Sequence, residues 1–281
     1  MKAGVVSRTD RRDSVGVAKR IVDLLESRGV DVQVETDTAL AMEKPGNNTD
    51  LGEMDADFIV TVGGDGTILR TAMLMGRPET PILGINMGSR GFLTEIYPEE
   101  LEAHIDRVLD GDYALEESIK LSSSSPEIEG VFPDSLNEVL VASSLPSKTL
   151  DLSLSVDGDH ILDIQADGAI VATPTGSTAY NLSAGGSILA PDVEAMILTT
   201  ICPYSYFRSI VASLDSRITV ELLKPRVDAL LIIDGREYTA LKPLSTIDVW
   251  KSPHVTRFIR FRSFYSRLER RLVFRQVRKK P

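Results

Sequence analysis

The chain has 281 residues, 42% of them apolar, and a formal net charge of −10, which allows one large or two ordinary domains with real cores. No apolar run approaches the roughly 18 residues of a membrane span, and Met1-Lys2-Ala3-Gly4 leads into a strand pattern without signal-peptide features. Cys202 is the single cysteine, which excludes an internal disulfide and a cysteine-built metal site and predicts a reducing, cytoplasmic setting.

The first third alternates strands and helices. Residues 2–7 read as a strand and residues 14–28 as an amphipathic helix with Val15, Ala18, Ile21, Val22 and Leu25 on one face, closed by Gly29. Val30, Val32 and Val34 mark a second strand, and the polar stretch 36–54, with Pro45, Gly46 and Asn47, reads as a long loop. Residues 58–62 form a β-branched strand that enters Gly63-Gly64-Asp65-Gly66 and a helical pattern over 68–75. A short strand over 81–86 opens into Met87-Gly88-Ser89-Arg90-Gly91-Phe92-Leu93, and residues 99–109 predict a helix closed by Gly111. Such alternation implies a parallel, doubly wound sheet that binds ligands outside the carboxyl ends of its strands.

After about residue 115 the pattern becomes all-β. Strands are predicted over 117–122, 136–142, 150–156, 161–164, 169–172, 217–223, 229–233 and 247–250, with one helix near 181–184. Asp157-Gly158 and Asp234-Gly235 are hairpin signals, and serine-rich 121–126 reads as a linker. Residues 251–281 hold eleven Lys/Arg against one acid, Glu269. Phe258, Ile259, Phe261, Phe264, Leu268, Leu272, Val273 and Phe274 are interleaved with them, which predicts a strand and helix docked on an acidic body rather than a nucleic-acid arm. His104, His160 and His254 are scattered and read as ordinary surface or core residues.

Strand, glycine turn and helix in succession point backbone N–H groups at a phosphate. An acid in such a turn repels the ligand unless it accepts a proton or helps hold a cation. On these residues alone, a surface turn with Asp65 as helix N-cap fits as well. No G-x-G-x-x-G follows the first strand, and no G-x-x-x-x-G-K-[ST] exists, since Gly176-Ser177-Thr178 lacks the lysine. Asn137-Glu138 opens an apolar run. Asp167-Gly168 leads into Thr173-Pro174-Thr175-Gly176-Ser177-Thr178-Ala179-Tyr180-Asn181-Leu182-Ser183-Ala184-Gly185-Gly186. Between Lys148 and Arg208 there is no Lys or Arg, so a polyanion bound there needs positive charge from elsewhere.

Together these stretches resemble the NAD kinase family, which carries GGDGT, an Asn-Glu pair, then Asp-Gly followed by TPTGSTAY, in that order and at similar separations. GGDGT alone is shared with lipid kinases of the diacylglycerol and sphingosine type. The run from Thr173 to Gly186 discriminates. The resemblance reaches from the first strand to the helix near Tyr265. It implies a Rossmann-like α/β domain over 1–115, a β-sandwich over 116–255, and a segment over 256–281 that returns to the first domain.

The implied reaction is transfer of the γ-phosphoryl group of ATP or inorganic polyphosphate to the 2′-hydroxyl of the adenosine ribose of NAD, with a divalent metal such as Mg²⁺. Asp65 is then the catalytic carboxylate that accepts the hydroxyl proton. The amides of Gly63, Gly64, Gly66 and Thr67, with Arg70 as a cation, stabilise the transferring oxygens. Asn137, Glu138, Gln165 and Asp167 belong to the dinucleotide pocket. Thr178, Ala179 and Tyr180 face the adenine, and Asn181, Leu182 and Ser183 continue that loop. Lys148 falls where the family often has an Arg that reaches across a subunit contact in dimers and tetramers. Three departures bear on acceptor and donor range: Pro203-Tyr204-Ser205-Tyr206 replaces a common PHTL, Arg236 follows Asp234-Gly235 where the family commonly has Gln, and Gln165 stands where some relatives carry a base. A lipid kinase would need an apolar acyl cleft or a membrane-binding face, and a non-catalytic dinucleotide-binding regulator leaves Asp65 unexplained.

Overall fold

The computed structural model describes residues 1–43, 48–88, 91–224 and 228–273. The chain divides into two compact units, Met1–Glu117 with Thr256–Pro281, and Ser118–Val255.

The first unit contains β1 (Lys2–Ser7), α1 (Arg12–Ser27), β2 (Asp31–Glu35), α2 (Thr36–Ala41), β3 (Asn48–Thr49), β4 (Phe58–Gly63), α3 (Asp65–Leu74), β5 (Ile82–Asn86) and α4 (Leu101–Leu109). Its strands are parallel in the order β3-β2-β1-β4-β5. Ala3, Val5, Val60, Val62, Leu83 and Ile85 share one core with Ile21 and Leu25 of α1 and Leu101 and Ile105 of α4. The i, i+4 spacing of each helical pair places it on one apolar stripe. Gly29 and Gly111, at φ +75° and +74°, follow α1 and α4. Ser7 pairs with Val62 and Gly63 with Asn86, so the glycine turn emerges at the carboxyl edge of the sheet.

The stretch 36–54, expected as a loop, contains α2, β3 and a 3₁₀ turn over Leu51–Glu53. A six-residue helix, a two-residue strand and a single 3₁₀ turn are too short for periodicity to reveal. Within that stretch Pro45, Gly46 and Asn47 lie outside the described residues, as do Ser89, Arg90 and Phe274.

β6 (Ala114–Ser124) carries the chain into the second unit. The serine-rich linker expected over 121–126 is corrected here: residues 121–124 belong to β6 and Leu121 is buried. There follow β7 (Glu138–Ser143), β8 (Leu150–Val156), β9 (Asp159–Ala166), β10 (Gly168–Ala172), α5 (Tyr180–Ser183), β11 (Ala195–Ile201), β12 (Ser209–Ser213), β13 (Ile218–Leu222), β14 (Ala229–Ile233), β15 (Glu237–Leu241) and the start of β16 (Thr246–Arg260). One antiparallel sheet runs β12-β11-β10-β7-β14-β15. A second antiparallel group joins β9, β8 and β13 to the start of β16.

Both predicted hairpins are present. Asp157 and Gly158 (φ +55° and +84°) and Asp234 and Gly235 (φ +51° and +62°) have the paired positive φ of a type I′ turn. The sequence reading missed β11, β12 and β15. β11 is a continuous buried run, which periodicity does not separate from a helix.

β16 returns the chain to the first unit, where Phe258 pairs in parallel with Ile82 beside β5, and α6 (Phe264–Val273) follows. Phe258 and Ile259 are fully buried. Arg260 bonds Glu116 at 2.9 Å, Glu95 at 3.3 Å and the carbonyl of Leu93 at 2.7 Å. Glu95 also accepts the N–H groups of Phe261 and Arg262 at 2.8 and 2.9 Å, and Arg267 pairs with Glu116 at 2.5 Å. Among the described residues no helix is long and apolar enough to cross a membrane.

Candidate active site

In the first unit the site begins at the end of β4. Asp65 opens α3, with Gly64 as the N-cap residue, and its carboxylate is held by the strand-end loop that follows β5. Phe92 N–H donates to Oδ2 at 2.9 Å and Leu93 N–H to Oδ1 at 3.0 Å. Both oxygens are therefore oriented from outside the helix, by the stretch into which the strand over 81–86 opens. Gly63 is required sterically: a Cβ there would lie 2.2 Å from Thr67 Oγ1 and 3.3 Å from Arg8 Cβ. That contact also places Arg8, at the carboxyl end of β1, beside the glycine turn. The sequence reading passed over Arg8, although the carboxyl-end rule for parallel sheets points to it. Its guanidinium is bidentate with Asp10 at 2.5 and 2.7 Å.

Arg70 is engaged by Glu35, a buried acid, and by Asp37 at 3.0 Å. The Thr67 N–H donates to the Gly64 carbonyl at 3.0 Å and so closes the turn from within.

In the second unit the Asn-Glu pair and the TPTGST stretch meet. Thr173 Oγ1 donates to the Leu136 carbonyl at 2.6 Å, and Thr173 N–H donates to the Asn137 carbonyl at 2.9 Å. A Cβ on Gly176 would sit 1.9 Å from the backbone oxygen of Asn137. Backbone cannot rotate away as a side chain can. Gly176→Ala is therefore expected to destabilise the protein by about 1–3 kcal/mol through overpacking, read as a fall in melting temperature of several degrees. An unchanged melting curve would show that the turn relaxes freely.

Ser177 Oγ donates to the Pro174 carbonyl at 2.5 Å and accepts from Leu189 N–H at 2.9 Å. Asn181 is fully buried: its amide donates to the Ser177 and Ser187 carbonyls and accepts from Thr199 Oγ1 at 2.6 Å. These bonds tie the loop that Asn181 continues to β11. Thr178 is buried and bonds the Thr175 carbonyl at 3.0 Å, Ala179 and Leu182 are half-buried, and Tyr180 and Ser183 are exposed.

Asn137 and Glu138 are both buried, and Glu138 Oε2 has no hydrogen-bond partner among the described residues. Burial and, secondarily, the charge of Asp234 push the Glu138 carboxyl up to about 8. Asp167, half-buried, bonds through its backbone to Ile201 and Ser143. Gln165 and Lys148 are exposed and are not drawn into this cluster: Gln165 donates to Asp151 at 2.8 Å, and Lys148 N–H closes a turn onto Leu145. The clamp on the Asn-Glu backbone from Asp234 is the feature least visible in the sequence, where Asp234 reads only as a turn residue.

Among the described residues no three His, Cys, Asp or Glu side chains are grouped to hold a metal.

Residues 3–113 match the model of the ATP-NAD kinase N-terminal domain, and residues 136–261 that of the ATP-NAD kinase C-terminal domain. The chain is 40% identical to an NAD kinase of Methanothermobacter thermautotrophicus over 97% of this chain and 96% of that one. It is 42% identical to an NAD kinase of Methanopyrus kandleri over 93% of each. A crystal structure of an NAD kinase from Archaeoglobus fulgidus in complex with ATP superposes with a TM-score of 0.76 at 32% identity, covering 98% of this chain and 97% of that one. A yeast NADH kinase complexed with NADH shares the fold, with a TM-score of 0.86 at 23% identity, covering 100% of this chain and 89% of that one. Two family models matched in order, and relatives aligned almost end to end, show that the chain belongs to the ATP-NAD kinase family.

Proposed function

We propose that this protein phosphorylates the 2′-hydroxyl of the adenosine ribose of NAD, with ATP as phosphoryl donor, to give NADP. The observation that carries the reading is the Asp65 carboxylate, held by two amides at the carboxyl edge of a parallel sheet and beside a glycine turn. An alcohol nucleophile needs its proton accepted as the bond to phosphorus forms, and a positioned carboxylate does this late in a loose transition state. Asp65 is the proposed catalytic residue. The glycine-turn amides and the N-terminus of α3 attract the transferring oxygens; Arg8 lies beside the turn with its charge shared by Asp10.

Asn137, Glu138 and Asp167 are proposed to position the ribose, and Thr178, Ala179 and Tyr180 to flank the adenine. Asn181 supports them from below. Inorganic polyphosphate as an alternative donor, a homodimer or homotetramer, and a cytoplasmic setting belong to the same reading. The lipid-kinase alternative finds no support in the family match.

The deciding test measures initial rates with NAD and NADH as acceptors against ATP and polyphosphate, with 2′- and 3′-phosphate products resolved by NMR. Absence of 2′-phosphorylated product under all four combinations would overturn the reading. A divalent ion, when bound, neutralises charge on the phosphoryl group in transit. Since the described residues offer no protein cage for it, Asp65 is the one carboxylate of the turn available to approach it. Excess chelator is therefore expected to abolish turnover while leaving NAD affinity and melting temperature unchanged. Full activity in chelator would remove the ion from the mechanism.

A further inference from the structure

The backbone of Leu136-Asn137-Glu138 is satisfied by two groups from distant parts of the second unit. Asp234 Oδ2 accepts Leu136 N–H at 2.8 Å, and Oδ1 accepts Asn137 N–H at 2.8 Å and Glu138 N–H at 3.1 Å. Asp234 N–H returns a bond to the Glu138 carbonyl at 3.1 Å, and Thr173 takes the other two carbonyls. Asp234 is 5% exposed, at φ +51° in the β14–β15 turn. A hairpin needs only a turn former there, and an exposed polar side chain serves that purpose. A buried carboxylate that accepts three consecutive amides goes beyond what a hairpin requires. It fixes the start of β7, from which the Asn137 and Glu138 side chains leave, and Glu138 Oε2 has no hydrogen-bond partner among the described residues.

We infer that Asp234 is a positioning residue for the dinucleotide acceptor, setting the direction of the Asn137 and Glu138 side chains through the three amides that it holds. The inference rests on the proposed function and deepens it. The two carboxyls form one coupled site. Burial raises both. Burial is the larger influence on Asp234, but three N–H groups aimed at its two oxygens favour its anion over that of Glu138, whose Oε2 accepts none among the described residues. Glu138 then keeps its proton to about pH 8 and meets a ribose hydroxyl as a donor. β10 and β14, which flank β7, carry no titratable side chain, and among the described residues Asp234 acts on Glu138 and Lys120 acts on Asp234.

The test is Asp234→Asn in the full-length protein. Asn tolerates positive φ, so the turn is kept, and one amide oxygen still accepts two of the three N–H groups. The Nδ2 group, however, now opposes the Leu136 N–H. The expected result is a rise of about tenfold or more in KM for NAD with KM for ATP unchanged. Wild-type KM for NAD should climb above about pH 8, and in the variant this limb should move to lower pH while staying above the ordinary carboxylate range, because burial, the larger cause, remains. Glu138→Gln, which cannot ionise, should abolish the limb. An unchanged KM for NAD, or a limb that stays put in Asp234→Asn, would overturn the inference, because loss of a merely structural bond lowers stability without moving a titration. Should the variant fail to fold, the limb in wild type compared with Glu138→Gln still decides, and its persistence in Glu138→Gln would overturn the inference. Failure of wild-type protein to phosphorylate NAD at any pH would instead refute the proposed function itself.

Discussion

Asp65→Asn is expected to lower the rate of phosphoryl transfer on the order of 10²–10⁴-fold, with NAD still bound. The amide keeps the size of the side chain but accepts no proton from the ribose hydroxyl. A second, smaller effect follows from the geometry. Wild-type Asp65 offers an oxygen to each of Phe92 N–H and Leu93 N–H, whereas Asn offers one oxygen and turns its NH₂ toward the other donor. That loss is worth about 1–2 kcal/mol, a shift of a few degrees in melting temperature. The two effects separate experimentally. NADP formation, followed with an NADP-specific coupling enzyme, reports the chemistry. Calorimetric NAD binding and thermal denaturation report the site and the fold. Near-normal turnover in the variant would remove Asp65 from the catalytic role. Asp65→Glu makes a useful companion, since it restores basicity but displaces the carboxylate by roughly 1 Å, a misplacement that costs on the order of 10²-fold.

Deletion of residues 257–281 is expected to leave the protein unable to fold stably at 25 °C. The segment supplies Phe258 and Ile259, fully buried, whose burial is worth roughly 1.5–3 kcal/mol each. It also supplies the partners of Glu95, a buried acid: the Arg260 guanidinium and the amides of Phe261 and Arg262. Removing the partner of a buried charge costs about 3–5 kcal/mol. The sum is comparable with the about 5–15 kcal/mol that holds a whole domain together. Arg260→Gln isolates the electrostatic share and should melt well below wild type. Its effect reaches the proposed chemistry as well, because Arg260 bonds the carbonyl of Leu93, the residue whose N–H orients Asp65. A truncated protein with the wild-type melting curve would instead mean that the basic tail is a free arm.

Much of the architecture was legible because it rests on local pattern. Strand–helix alternation with a stripe of Val15, Ala18, Ile21, Val22 and Leu25 dictates a parallel layered sheet, since each amphipathic helix must cover apolar strand surface. Gly29, Gly111, Asp157-Gly158 and Asp234-Gly235 punctuate the chain through backbone geometry that few other residues adopt. The family, too, was readable, because GGDGT, Asn137-Glu138 and Thr173 to Gly186 are contiguous motifs in a set order.

What the tertiary structure decided are the partners of charged and polar groups, which depend on contacts between residues far apart in sequence. Arg70 reads as a cation one turn into a helix, yet Glu35 and Asp37 claim it. Asn181 reads as part of a ligand loop, yet burial obliges its amide to satisfy three partners within the protein. Asp234 reads as a hairpin residue, and only folding brings it under the amides of residues almost a hundred positions earlier. A buried carboxylate must find donors or remain neutral, and no local pattern in a sequence says which distant backbone will provide them.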